Sequence, residues 1–152
     1  MCVADRQAVP QRAERQRMIA EAMRASEVDL LVVAGYDEIL GAEFVRAFQG
    51  RAINTHPSLL PAFGGSMHAV RAALDYGVKV TGCTIHLVTD EVDGGPILLQ
   101  RCVEVRPDDD EQALHARIRA EEHRLLPEAV RAFAEGRVRV EGCRARVIGS
   151  TD

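Results

Sequence analysis

The run VDLLVVAG at residues 28–35 most narrows what this chain can fold into. Its apolar residues are continuous rather than alternating, several are β-branched, and a glycine ends it. Such a strand is buried on both faces, the situation of parallel sheets with helices on either side. The neighbouring segments suit that architecture. From Gln11 to about Glu27, Met18, Ile19 and Met23 recur at helical spacing among Arg, Glu and Gln. AEFVRAFQG predicts a short helix with Gly50 past its end, and RAIN a second short strand. HAVRAALDYG reads as a helix stopped by Gly77, and VKVTGCTIHLVTD and PILLQRCVEVR as two longer strands. The acidic stretch PDDDEQ opens a long helical pattern, where negative charge suits a helix N-terminus. Pro127 predicts a kink there or two consecutive helices. VRVEGCRARVIG predicts a hairpin turning near Glu141 and Gly142. The alternation gives a single α/β domain over residues 1–152, with parallel strands first and antiparallel pairing later.

Composition removes several functional classes. With 152 residues and a net charge of −4, the basic residues are scattered and leave no footprint for nucleic acid. No apolar run is long enough to span a bilayer. The first residues lack the apolar core of a signal peptide, so a cytoplasmic protein is expected. Cys2, Cys83, Cys102 and Cys143 lie far apart without a C-x-x-C pair, which favours free thiols over a zinc site or disulfides.

In open α/β sheets, ligands sit outside the carboxyl ends of the strands. Gly35, Asn54 and His56 all fall at such ends. An amide and an imidazole two residues apart, braced by Pro57 and Pro61, can stabilise the oxygen of a carbonyl as it becomes tetrahedral. The plainer alternative is a strand-ending Asn that satisfies loop backbone beside a packed His. TDEVDGGP adds Asp90, Glu91 and Asp93 in a glycine-rich turn. A carboxylate facing His56 would favour the charged imidazole, and could hold a water that takes the proton from an attacking amine. Three acids in a turn are otherwise simply solvated. No nucleophile stands out: Ser58 lacks a base, and Cys83 lies in an apolar strand. A metal site from His56, His86 and Asp93 is the weakest contender, and acyl transfer of this kind needs no metal.

The segments INTHPSLLPAF, GVKVTGCTIHLVTDEVDGGPILLQ and EEHRLLPEAVRAFAEGRV resemble the glycinamide ribonucleotide formyltransferases of the folate-dependent formyltransferase superfamily. The resemblance runs from about Ala20 to Val138. It implies transfer of the formyl group of 10-formyltetrahydrofolate to the amine of glycinamide ribonucleotide. Asn54 and His56 would then polarise the formyl oxygen, and Asp93 would set the His56 charge and assist proton transfer. The folate would be held by Tyr36, Asp37, Glu38, Ile39 and Leu40 on one side, and by Thr89, Asp90, Glu91, Val92, Gly94 and Gly95 on the other. Pro57 and Glu122 would contact the amine substrate, Glu122 at its ribose. Glu121 is an equally acidic neighbour on that helix. His86 is read as a packed strand residue and His68 as a loop or helix-start residue.

Departures from the family pattern shape two further expectations. Asp37-Glu38 stands where the family usually carries Met-Arg, which would weaken attraction for an anionic folate tail. A one-residue insertion in AFGGSMHAV is expected to shift the helix that follows. Against the family, the chain is expected to be the C-terminal part of a doubly wound, mostly parallel Rossmann-like sheet, lacking the first strands and the phosphate loop. VDLLVVAG would then be an exposed edge, which a homodimer or a partner chain is expected to cover. The alternatives are a truncated, inactive paralogue that binds folate or a partner chain, and a formyltetrahydrofolate hydrolase.

Overall fold

The computed structural model describes residues 4–36 and 38–149. In chain order the elements are α1 (Arg12–Ala25), β1 (Leu31–Val33), α2 (Ala42–Ala47), β2 (Ala52–His56), α3 (Ala69–Tyr76), β3 (Val80–Leu87), β4 (Ile97–Glu104), α4 (Glu111–Ala134), β5 (Val138–Glu141) and β6 (Arg144–Val147). The first four strands form one sheet in the order β1-β2-β3-β4, and β5 and β6 form a separate hairpin. The sheet is mixed. β1 and β2 run parallel, whereas β3 is antiparallel to both β2 and β4. The change from parallel to antiparallel therefore falls where the sequence places it.

Side chains alternate across β2, and the core divides accordingly. Ile53 joins the larger cluster, in which Cys83, Ile85 and Leu87 of β3 meet Leu114, Ile118 and Leu125 of α4. Ala52, pointing the other way, joins Ala20, Leu31, Phe44 and Phe48 in a second cluster under α1 and α2. Helices thus cover both faces at β2. Asn54 and His56 share the side of Ala52, while Thr55 shares the side of Ile53 and α4.

Three details differ from the sequence reading. β1 is much shorter than residues 28–35, because Val28 still belongs to the exit turn of α1, its N–H reaching the Met23 carbonyl at 3.4 Å. α1 buries Arg15 and Gln16 rather than Met18, which is half-buried. α4 is one continuous helix with Pro127 inside it, not two. A proline in a helix interior removes one hydrogen bond and crowds the carbonyl four residues back, which costs about 3 kcal/mol or more. Here both Pro127 and His123, which carries that carbonyl, are exposed, so water can take the lost bond while Leu125 and Ala129 stay buried. No helix among the described residues is long and apolar enough to cross a membrane.

Candidate active site

β2 carries Asn54 and His56 to the carboxyl end of the parallel pair, and its antiparallel register with β3 sets His86 directly opposite Asn54. The turn after β3 then folds back over the sheet. The Leu87 N–H meets the Pro96 carbonyl at 2.9 Å, and Val88 N–H meets the Ala52 carbonyl at 2.9 Å. Gly95 permits this closure, since a Cβ there would sit 1.8 Å from the Leu87 carbonyl oxygen. Asp93 adopts a left-handed φ of 55° at the apex, which Asp tolerates better than most residues. Its carboxylate is thereby placed between the two imidazoles.

The contacts are specific. Asp93 Oδ2 lies 3.3 Å from His56 Nδ1, and Oδ1 lies 3.5 Å from His86 Nε2. Oδ2 also accepts the Gly65 N–H at 2.8 Å, tying the turn to the loop after β2. His56 Nε2 faces the Phe63 carbonyl at 3.2 Å. Both ring nitrogens of His56 therefore face acceptors, and only the doubly protonated ring donates to both. His86 Nδ1 faces the Leu87 carbonyl at 2.9 Å, while its Nε2 lies 3.2 Å from Asn54 Nδ2. Nε2 thus stands between the Asn54 amide and the Asp93 carboxylate. His86, beside Asp93, holds that carboxyl below its ordinary value, with the Gly65 N–H and His56 adding to the effect against the opposing pull of burial.

These groups sit at one end of a cleft of about 360 Å³, within the range of small-ligand sites. Of the sequence candidates, Asn54, His56, Pro57, Asp93 and Glu122 line it. So do Tyr36, Glu38, Ile39 and Leu40 on one wall, and Thr89, Asp90, Glu91 and Val92 on the other. Gly94 and Gly95 do not; they face a neighbouring 410 Å³ cleft beside β6. Their place in the turn is steric, for a Cβ on Gly94 would meet the Glu91 side chain at 2.5 Å. Asp37 lies outside the described residues. His68 is the N-cap of α3, as the loop or helix-start reading expects.

The structure also brings to the cleft residues that the sequence reading did not place there. His86 is a buried strand residue, as the sequence reading has it, and it also contacts both Asn54 and Asp93. Its apolar neighbours in CTIHLV hid that. Thr55, Met67 and His115 also line the cleft. His115 and Glu122 lie seven residues apart on α4, a spacing that puts two side chains on one helix face. Other titratable groups are tied up elsewhere. Ser58 donates its hydroxyl to the Ala62 carbonyl. Burial, with the Glu122 charge adding, pushes the Cys83 thiol up to about 11, so it stays protonated at neutral pH. His56, His86 and Asp93 do come together, but no group of three or more metal-ligating side chains among the described residues is arranged to hold an ion.

The wall of Tyr36, Glu38, Ile39 and Leu40 is braced by side chains of α1. Gln16 donates to the Ile39 carbonyl at 2.9 Å and accepts the Gly41 N–H at 2.7 Å. Glu38 pairs with Arg15 and, at 3.1 Å, with Arg6, and it accepts the Tyr36 hydroxyl at 3.0 Å. Burial works to raise its pKa, but the Tyr36 and Arg15 hydrogen bonds and the two cations bring it below the ordinary carboxylate value. Glu38 therefore faces the cleft as a paired carboxylate rather than a bare charge.

The family model described as formyl transferase matches residues 1–130. The chain belongs to the formyl transferase family. A phosphoribosylglycinamide formyltransferase of Mycobacterium tuberculosis is 54% identical over 124 residues, which cover 82% of this chain and 57% of that relative. The chain thus spans little more than half the length of that formyltransferase. A crystal structure of glycinamide ribonucleotide transformylase 1 from Symbiobacterium toebii matches with a TM-score of 0.89 and 50% identity, over 94% of this chain and 67% of that one. A formyltetrahydrofolate deformylase from Pseudomonas syringae pv. tomato matches with a TM-score of 0.85 and 30% identity, over 91% of this chain and 46% of that one.

Proposed function

We propose that this formyl transferase family member moves the formyl group of 10-formyltetrahydrofolate onto the amine of glycinamide ribonucleotide. The observation that carries the reading is the placement of Asn54, His56 and Asp93 at one end of a single cleft. The amine nitrogen attacks the formyl carbon, and the carbonyl oxygen gains negative charge. The Asn54 amide and a His56 ring N–H are the donors that stabilise it. Asp93 orients the His56 ring by facing its Nδ1, and accepts the proton that leaves the amine, through water. Collapse of the tetrahedral carbon then breaks its bond to the folate N10, which takes up a proton. No covalent enzyme intermediate is needed, consistent with the absence of an activated nucleophile among the described residues of the cleft.

On this reading the folate lies between the Tyr36–Leu40 and Thr89–Val92 walls, and the amine substrate between Pro57 and α4. The protein works in the cytoplasm on small molecules. Formyl transfer from 10-formyltetrahydrofolate by the purified chain, followed with and without glycinamide ribonucleotide, is the test. Turnover that requires the ribonucleotide supports the proposal. Likeness to a deformylase supplies a second reading, and formate release independent of the ribonucleotide would favour it. Folate binding without either product would leave a binding protein instead.

A further inference from the structure

Glu122 occupies an unusual place on α4. Leu114, Ile118, Leu125 and Ala129 form the stripe that buries against the sheet. Glu122, four residues after Ile118 and three before Leu125, falls on that same stripe. Among the described residues no cation pairs with it, whereas its neighbour Glu121 pairs with the exposed Arg124 at 2.5 Å. Its contact is Thr55, whose hydroxyl donates to Glu122 Oε1 at 2.9 Å across 67 positions of sequence. Thr55 lies between Asn54 and His56 on β2, but on the opposite side of the strand. Both Thr55 and Glu122 line the cleft.

We infer that Thr55 is a positioning residue for the Glu122 carboxylate. This inference rests on the function proposed above. One hydroxyl fixes Oε1, and Oε2, which has no hydrogen-bond partner among the described residues, keeps its accepting capacity for a ligand. A carboxylate so held is a partner for O–H donors, and a vicinal diol such as that of a ribose supplies two. The same strand thereby registers the sugar through Thr55 against the reacting carbonyl through Asn54 and His56. Without the hydroxyl, Glu122 must lose its rotamer freedom at the moment of binding. Water can satisfy its oxygen meanwhile, so the loss falls on substrate affinity rather than on the fold.

Steady-state kinetics of the full chain test this. Thr55→Val should raise KM for glycinamide ribonucleotide about fivefold, the cost of ordering one rotamer-rich side chain on binding. Its kcat and its KM for 10-formyltetrahydrofolate should stay within about twofold, and Thr55→Ser should restore KM. In a Glu122→Gln background, Thr55→Val should add much less than it does alone, since the two residues act as one unit. An unchanged ribonucleotide KM in Thr55→Val, or a parallel loss in kcat and both KM values, overturns the positioning role while wild-type turnover keeps the proposed function. A wild-type chain that transfers nothing to the ribonucleotide overturns both.

Discussion

His56 is confined from both sides, with the Asp93 carboxylate at Nδ1 and the Phe63 carbonyl at Nε2. A substrate oxygen must share or displace the Phe63 carbonyl to receive the Nε2 proton. Asn54 is held differently, by a ring nitrogen of His86, so one of its N–H groups remains for the substrate. Removing it in Asn54→Ala should lower kcat about 10²- to 10³-fold, as loss of an oxyanion donor does, with folate binding by calorimetry little changed. Asp93 carries a pH signature. Its folded pKa lies below the ordinary 3.8, chiefly through His86. A depressed carboxylate contributes its full stability above the ordinary value and loses it as pH falls through the lowered one. Wild type should therefore exceed Asp93→Asn in urea-unfolding free energy at neutral pH, and the difference should shrink once pH drops below about 3.8 and vanish below the folded value. A difference independent of pH would contradict this electrostatic role. Asn54, His56 and Asp93 stand out as candidates in the sequence because an amide, an imidazole and a carboxylate at a strand end and in a glycine-rich turn can converge on one ligand. His86 does not, because an imidazole inside CTIHLV looks the same whether packed or functional. Its partner Asn54 arrives only through strand register.

At the scale of elements, the site depends on turns held at both ends. The β3–β4 connection closes where Gly95 passes the Leu87 carbonyl with no room for a side chain. Gly95→Ala should force the turn outward, costing roughly 1–3 kcal/mol in thermal or urea unfolding. It should also weaken folate binding more than its stability loss explains, because Asp93 and the Thr89–Val92 wall move with the turn. The opposite wall is fastened by Gln16, whose two amide ends span the Ile39 carbonyl and the Gly41 N–H. Periodicity marked α1 as amphipathic through its Met and Ile residues. It gave no sign that the innermost positions are Arg15 and Gln16, since polar residues read as solvent-facing until their partners are known. The expected penalty of Glu38 for an anionic tail is likewise reduced, because Arg15 and Arg6 sit beside its carboxylate.

For the molecule as a whole, β1 is the edge of the four-stranded sheet among the described residues. It is short and apolar, and Val32 is 39% exposed. An open strand edge offers unpaired N–H and C=O groups to a second chain. Light scattering should therefore show association that grows with concentration, and Val32→Lys should suppress it while leaving the circular dichroism spectrum intact. A monomer at all concentrations would show that this edge does not drive association.

What the sequence determined by itself was local and periodic. The order of strands and helices, the Gly77 helix stop, the hairpin turn at Gly142 and the polar strand end at Asn54 and His56 all follow from residue patterns a few positions long. Tertiary structure alone decided which distant groups meet. It set Glu122 against Thr55 and His86 against Asn54, and paired Glu38 with Arg15. The physical reason is range: backbone preference and hydrophobic period act over one or two turns, whereas a hydrogen bond or ion pair is fixed by the register and crossing of whole elements.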